Sequence, residues 1–495
     1  MEFSSLFFLY VFLPLTAAVY FLMPGIRRKN IVLIAASLLF YAVGQPVYLL
    51  LLLGLSYVNY YFGGLMKNGG RSMLILAIAV NLLVLGIFKY LDFFLGIFGV
   101  SVENGLLLTA LRSLTEGLNS LLGTSFRAPE TALPIGISFY TFQAVSYLVD
   151  IYRGKNAGAD RFSKFLLYIS LFPKIMQGPI VRYEQIEPQL TQRRTNSRMI
   201  FDGAVRFAVG LAKKVLLADY AGKVISDLSS DPAGLTVVGA WLSALMFMFQ
   251  IYFDFSGYSD MAIGIGRIFG FRFPENFDLP YVSSSITEFW RRWHISLGSF
   301  FRDYVYIPLG GNRKGKARQI LNLLAVWALT GLWHGASWNF VLWGLYFFVL
   351  LAIEKQLMPK LERLPFPVRN LMTMFFVLIG WVIFSHSSLA EIGRNLGAMF
   401  GGAAFTNTNT SVRLLNSLPL LAVCLIGSSV LPRWFGFIWS GVLGMGKGRQ
   451  RAQNTVTAGK AVYVISVFLF VLLLLWLCTV SLLGSTSAPS IYASF

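Results

Sequence analysis

Apolar runs close to the length of a bilayer crossing recur from one end of this sequence to the other, and they constrain the fold more than any motif does. They fall at 6–23, 31–43, 46–65, 72–98, 131–151, 200–226, 235–270, 319–333, 336–354, 369–385, 414–431 and 461–483. A helix needs about 20 apolar residues to cross the hydrocarbon core. A backbone in lipid must satisfy its own polar groups, and without short alternating segments only helices do so. Charged residues make up 13% of the chain, where a soluble chain carries about 25%. The sequence therefore reads as an all-α polytopic membrane protein with about 11–12 crossings. It forms a single membrane domain over 1–495, with no soluble domain, long linker or internal repeat. A further apolar stretch, 165–180, is interrupted by Pro173, Gly178 and Pro179 and reads as re-entrant or interfacial.

The charges between the runs give the orientation. No basic residue precedes the first run, and Arg27, Arg28 and Lys29 follow it, so it reads as a retained span with its N-terminus outside rather than a cleaved leader. Basic segments then alternate with nearly neutral or acidic ones: Lys67 to Arg71, Arg153 to Lys164, Arg182 to Arg198, Arg267 to Arg318, Lys355 to Arg369 and Lys447 to Lys460 share the inner side. Around Glu103 to Glu130, and from His386 to Arg413, the loops face outward. The net charge of +19 is thus an orientation signal, and with no soluble basic domain a nucleic-acid partner is excluded. Cys424 and Cys478 lie far apart in apolar runs, and no Cys/His spacing fits a metal site or a disulfide framework.

Two runs have anomalous lengths. The segment 235–270 would make a rod of roughly 54 Å against a core of about 30 Å, so it is expected to tilt, bend or break, with Gly257 in "FDFSGYSD" as the place. The segment 319–333 reaches only roughly 22 Å. A hairpin built on it turns partway through the membrane, which puts His334 at depth.

Between 284 and 306 the pattern changes. Ile286, Phe289, Trp290, Trp293, Leu297, Phe300, Phe301 and Tyr304 recur at helical spacing, with Glu288, Arg291, Arg292, Arg302 and Asp303 on the remaining faces. Too charged to span, this segment is expected to be an amphipathic helix at the inner interface, its Trp and Tyr rings at headgroup level. His294 falls at the edge of its apolar face and on the helix alone reads as incidental.

Ionisable groups inside apolar runs mark cavities or pathways. Here they are Asp254, Asp260 and His334, with Gln143, Gln250, Ser256, Ser259 and Asn339 as neutral company. His334 can be a core histidine bonded to a carbonyl, the two aspartates can be helix supports, and His386 reads as structural. No G-x-S-x-G elbow, phosphate loop or dinucleotide fingerprint is present. A neutral imidazole can take a proton from a hydroxyl attacking an acyl thioester. A proton relay in a transporter uses the same groups, and both readings stay open on these residues.

Longer motifs narrow the choice. "FDFSGYSDMAIGIGRIFGFRFPENF", "SSITEFWRRWHISLGSFFRDYVYIPLGGNRKG" and "GLWHGASWNFVLWG" closely resemble the membrane-bound O-acyltransferase family, and within it the alginate O-acetyltransferase branch. "LPIGISFYTFQAVSYLVDIYRG", "LFPKIMQGPIVRYEQI", "FSSLFFLYVFLPL" and "IGWVIFS" match further family segments. The motif-rich core spans 131–385, and the likeness is weakest after about residue 390. The resemblance implies a ring of helices around a thinned centre in the bacterial inner membrane, with funnels from both faces meeting near a histidine. His334 matches the family's catalytic histidine and His294 its second one, with Asp254, Asp260, Trp333, Asn339 and Arg291 as funnel-lining candidates. It further implies no resident cofactor or metal, and an acyl thioester donor, acetyl-CoA or an acyl carrier, arriving at the basic inner loops. The acetyl group passes outward to a polysaccharide acceptor, through an extracytoplasmic partner of the SGNH hydrolase-like type. D-alanyl transfer to teichoic acid is the alternative within the superfamily. His386 stands where relatives commonly show Arg, and no role is carried to it.

Overall fold

A computed structural model describes residues 1–66, 70–99, 105–125, 133–231, 234–432, 434 and 453–484. The described residues form helices and connecting loops, with no strand among them. Lys67, the ends of the stretch 103–130 and the start of the basic segment at Lys447 lie outside them.

Among the described residues, seven helices are long and apolar enough to cross a membrane: Pro46–Leu65, Gly70–Ile97, Val237–Ile268, Trp338–Met358, Phe366–Ser385, Thr408–Ser428 and Ala461–Leu483. The other expected runs are helical too, but shorter or charged at their ends, as in Leu13–Leu22, Ile137–Tyr152 and Lys316–His334. Their burial differs: Leu13–Leu22 buries Thr16 and Tyr20 and leaves Leu15 and Leu22 exposed. Ile137–Tyr152 is buried along its length except at Val145 and Tyr152. The stretch 165–180 is likewise buried throughout.

The helix Val237–Ile268 runs 32 residues without interruption, so the chain does not break at Gly257. Its role is contact. A Cβ on Gly257 would lie 2.7 Å from the Gly210 carbonyl oxygen, and one on Gly264 would lie 2.6 Å from that of Gly203. Both partners belong to the helix Ser197–Ala212. Two pairs of glycines, each seven residues apart, let the two backbones touch, as small residues do at helix interfaces in lipid. In the same way a Cβ on Gly331 would lie 2.4 Å from the Phe340 carbonyl oxygen and one on Gly344 2.5 Å from that of Trp327. The hairpin of Lys316–His334 and Trp338–Leu361 is therefore packed backbone to backbone.

Apolar packing gathers into two large bodies. One joins the N-terminal helices to residues 137–190 and to the 258–273 stretch. The other joins 240–255 to Trp293, Trp327, Trp343, Phe347, Trp381 and Phe384. A smaller cluster of Phe139, Phe142, Ile180, Leu297, Phe300, Phe301 and Trp333 lies between them.

Candidate active site

The stretch 284–306 is not one helix. It forms Ile286–Arg292 and Ile295–Phe301, followed by a π-helical turn at Arg302–Tyr306. The break is at His294, whose φ of +43° is in the left-handed region; apart from glycines, among the described residues only Leu279 shares a positive φ. Backbone bonds from a distant segment hold the break open: Ile295 N–H donates to the Asn276 carbonyl at 2.9 Å, and Asp278 N–H donates to that of Arg292 at 3.0 Å. Such a conformation costs about 1–3 kcal/mol, which these bonds offset. The side chains turn inward as a result. Trp293 is buried, and Trp290 packs edge-on to Trp327, Trp343 and Phe347, so these rings pack against protein. Arg291 faces outward and is exposed, away from the histidines.

The break brings two imidazoles to one place. His294 is 2% exposed and His334 is 3% exposed. Trp333 lies between them, its ring centroid 5.7 Å from that of His294 and 4.9 Å from that of His334. His334 ends the helix Lys316–His334, at the hairpin turn where the run length put it. Trp343 at 4.9 Å and Phe384 at 5.2 Å meet its ring edge-on. The turn needs Gly335 for space, since a Cβ there would lie 2.2 Å from the Phe340 ring. Phe255 closes the other side, at 4.7 Å from His294.

Polar groups hold this arrangement. Lys89 Nζ donates to the carbonyl oxygens of Trp333 at 2.5 Å and His334 at 3.3 Å, and Tyr90 Oη donates to that of Leu332 at 2.6 Å. A cation at a helix C-terminus satisfies carbonyls that lack helical partners. Asn339 Nδ2 donates to the Phe384 carbonyl at 3.2 Å and so ties the hairpin to the helix Phe366–Ser385. Glu354 accepts from the backbone N–H groups of Ile286 and Thr287, capping the first short helix. Farther along, burial alone would raise the Asp303 carboxyl, but hydrogen bonds from Arg302 and Arg182 outweigh it and hold the group below its usual range.

The aspartates are elsewhere. Asp254 meets Lys214 at 3.0 Å, and Lys214 also meets Asp219 at 2.7 Å. Asp260 pairs with Arg206 and Lys213, both at 2.7 Å. Both belong to the charged packing between neighbouring helices, and Asp254 also lines a small cavity of about 20 Å³ beside Glu2 and Gln177. A larger cavity of about 690 Å³ is lined by Asp231, Gln250, Ser385, His386, Glu391 and Arg394 among others. It shares Ser385 with the helix that presents Phe384 to His334, so His386, read from sequence as structural, borders open space.

Sequence reasoning passed over Lys89, Tyr90, Asn276 and Phe255. Lys89 carried a signal, a lysine inside the apolar run 72–98. Asn276 carried none, since only the folded chain brings it to His294.

A multi-pass all-α membrane protein whose two buried imidazoles flank one indole has the parts for hydroxyl activation within apolar walls. Comparison with known proteins gives the class its family. The chain matches the MBOAT, membrane-bound O-acyltransferase family over residues 157–391. It is 41% identical over 407 residues to a probable alginate O-acetylase of Pseudomonas syringae pv. tomato, covering 81% of this chain and 75% of that protein. It is 33% identical over 440 residues to the peptidoglycan O-acetyltransferase of Helicobacter pylori, covering 81% and 80%. A teichoic acid D-alanyltransferase of Bacillus subtilis is 29% identical over 273 residues, covering 51% and 68%. The chain belongs to the membrane-bound O-acyltransferase family, and it is an acyltransferase.

Proposed function

We propose that this protein moves acetyl groups from a cytoplasmic thioester, acetyl-CoA or an acyl carrier, to an extracytoplasmic polysaccharide, with His334 as the general base. The observation that carries this reading is the pair of buried imidazoles across Trp333, in a chain 41% identical to a probable alginate O-acetylase. His334 takes the proton of the attacking hydroxyl, which then adds to the thioester carbonyl; loss of the thiolate completes the transfer. Such positioned proton transfer typically contributes about 10²–10⁴-fold. The exposed Arg313, Lys314, Lys316 and Arg318 suit an acidic donor on the inner side. The cavity bordered by His386 and Arg394 suits the acceptor side, where a hydrolase-like partner of the SGNH type receives the acetyl group. In this reading the N-terminus is outside and the membrane is the bacterial inner membrane.

The test is ester content of the polymer in cells making His334→Ala at unchanged protein level. Acetylation should fall by about 10²-fold or more. Wild-type acetylation in that variant removes His334 from the chemistry, and alanine rather than acetate in the released ester assigns the chain to the other branch.

A further inference from the structure

We infer that Asn276 is a positioning residue, which fixes His294 in the tautomer that carries its proton on Nδ1 and its lone pair on Nε2. This deepens the acetyl-transfer reading above and rests on it. Asn276 is 1% exposed, and its amide orientation is not free. Its Oδ1 lies 3.2 Å from the backbone N–H of Ser296, which can only donate, so the atom there must be the oxygen. The Ser296 hydroxyl donates to the same oxygen at 2.9 Å, while itself accepting from Ile180 N–H at 3.0 Å. On the other side Asn276 Nδ2 donates to Ser259 Oγ at 3.1 Å. A flipped amide would set two donors against each other at Ser296.

With the oxygen so placed, His294 Nδ1 at 3.1 Å has one role, to donate. In the neutral ring the lone pair then sits on Nε2, and Nε2 is buried with no hydrogen-bond partner among the described residues. A buried polar atom left without a partner is costly. Here it coincides with a strained backbone, the +43° φ at His294 itself, held by the Ile295 N–H bond to the same Asn276. Strain and an open acceptor at one residue point to a ligand group as the missing partner. His294 therefore enters the reaction as an acceptor, toward a hydroxyl or amide N–H of the substrates. It does not donate from Nε2 to the thioester carbonyl oxygen.

The chain has three histidines, so uniform ¹⁵N-histidine labelling of the full-length protein in bilayers gives few enough resonances to assign. The His294 pair is the one lost in His294→Ala. It should show a protonated Nδ1 and an unprotonated Nε2 in the wild type, and mixed tautomers in Asn276→Leu. An Nε2-protonated His294 in the wild type overturns the inference without any assay of activity. In acetate transfer, Asn276→Leu should lower kcat by about 10²-fold with KM for the donor little changed. Asn276→Asp, which still accepts from Nδ1, should restore most of it. A wild-type kcat in Asn276→Leu overturns the positioning role. A wild-type protein that transfers no acetate defeats the reading of function instead and leaves the tautomer measurement standing.

Discussion

Lys89 shows how one side chain can hold another without touching its ring. Its ammonium and the neighbouring Tyr90 hydroxyl take the last carbonyls of the helix that ends at His334, from Leu332 to His334. Removing the cation while keeping the stem leaves two buried carbonyls short of a donor, and each unsatisfied group costs about 1–3 kcal/mol. Lys89→Met is therefore expected to lower stability by roughly 2–4 kcal/mol and to reduce acetyl transfer, read by thermal unfolding in detergent and by acetate release. Lys89→Arg, which keeps the charge in a different shape, should fall between the two. At this scale His334 was legible, because the length of its run and the Gly beside it are written in the chain. His294 was named from a motif, but its geometry was not legible. Asn276 stands 18 residues upstream and meets it only after folding.

The elements divide into those set by local pattern and those set by contact. Helical spans followed from apolar run length, and the hairpin turn from a run too short to cross. The break within 284–306 did not follow, because its periodicity is continuous and the bonds that interrupt it come from residues 276 and 278. Gly257 illustrates the opposite error. A glycine in the middle of an overlong run reads as a place to break, yet the helix is continuous through it and its missing side chain admits the Gly210 carbonyl. Gly257→Val would force a branched side chain into a 2.7 Å gap, and overpacking of this kind costs about 1–3 kcal/mol. Thermal unfolding should register that loss, whereas Gly86→Val, where a Cβ meets nothing within 4 Å, should not.

For the molecule as a whole, charge alternation between the spans predicts which surface faces the cytoplasm. Lys314 and Ser387 are both exposed, and by that alternation lie on opposite sides. Both native cysteines are buried, so introduced ones report cleanly. A membrane-impermeant maleimide should label Ser387→Cys in intact cells and Lys314→Cys only in everted vesicles. The reverse pattern would turn the protein over.

The rod from Val237 to Ile268 belongs to both large packing bodies: residues 240–255 join one and 258–265 the other. At about 48 Å it outruns a hydrocarbon slab of about 30 Å, and a helix longer than its slab accommodates by leaning, by curving or by thickening the lipid around it. Phe255, which braces His294, rides on that beam. Turnover is therefore expected to differ between short-chain and long-chain bilayers, because the lipid sets how that beam must lean or curve.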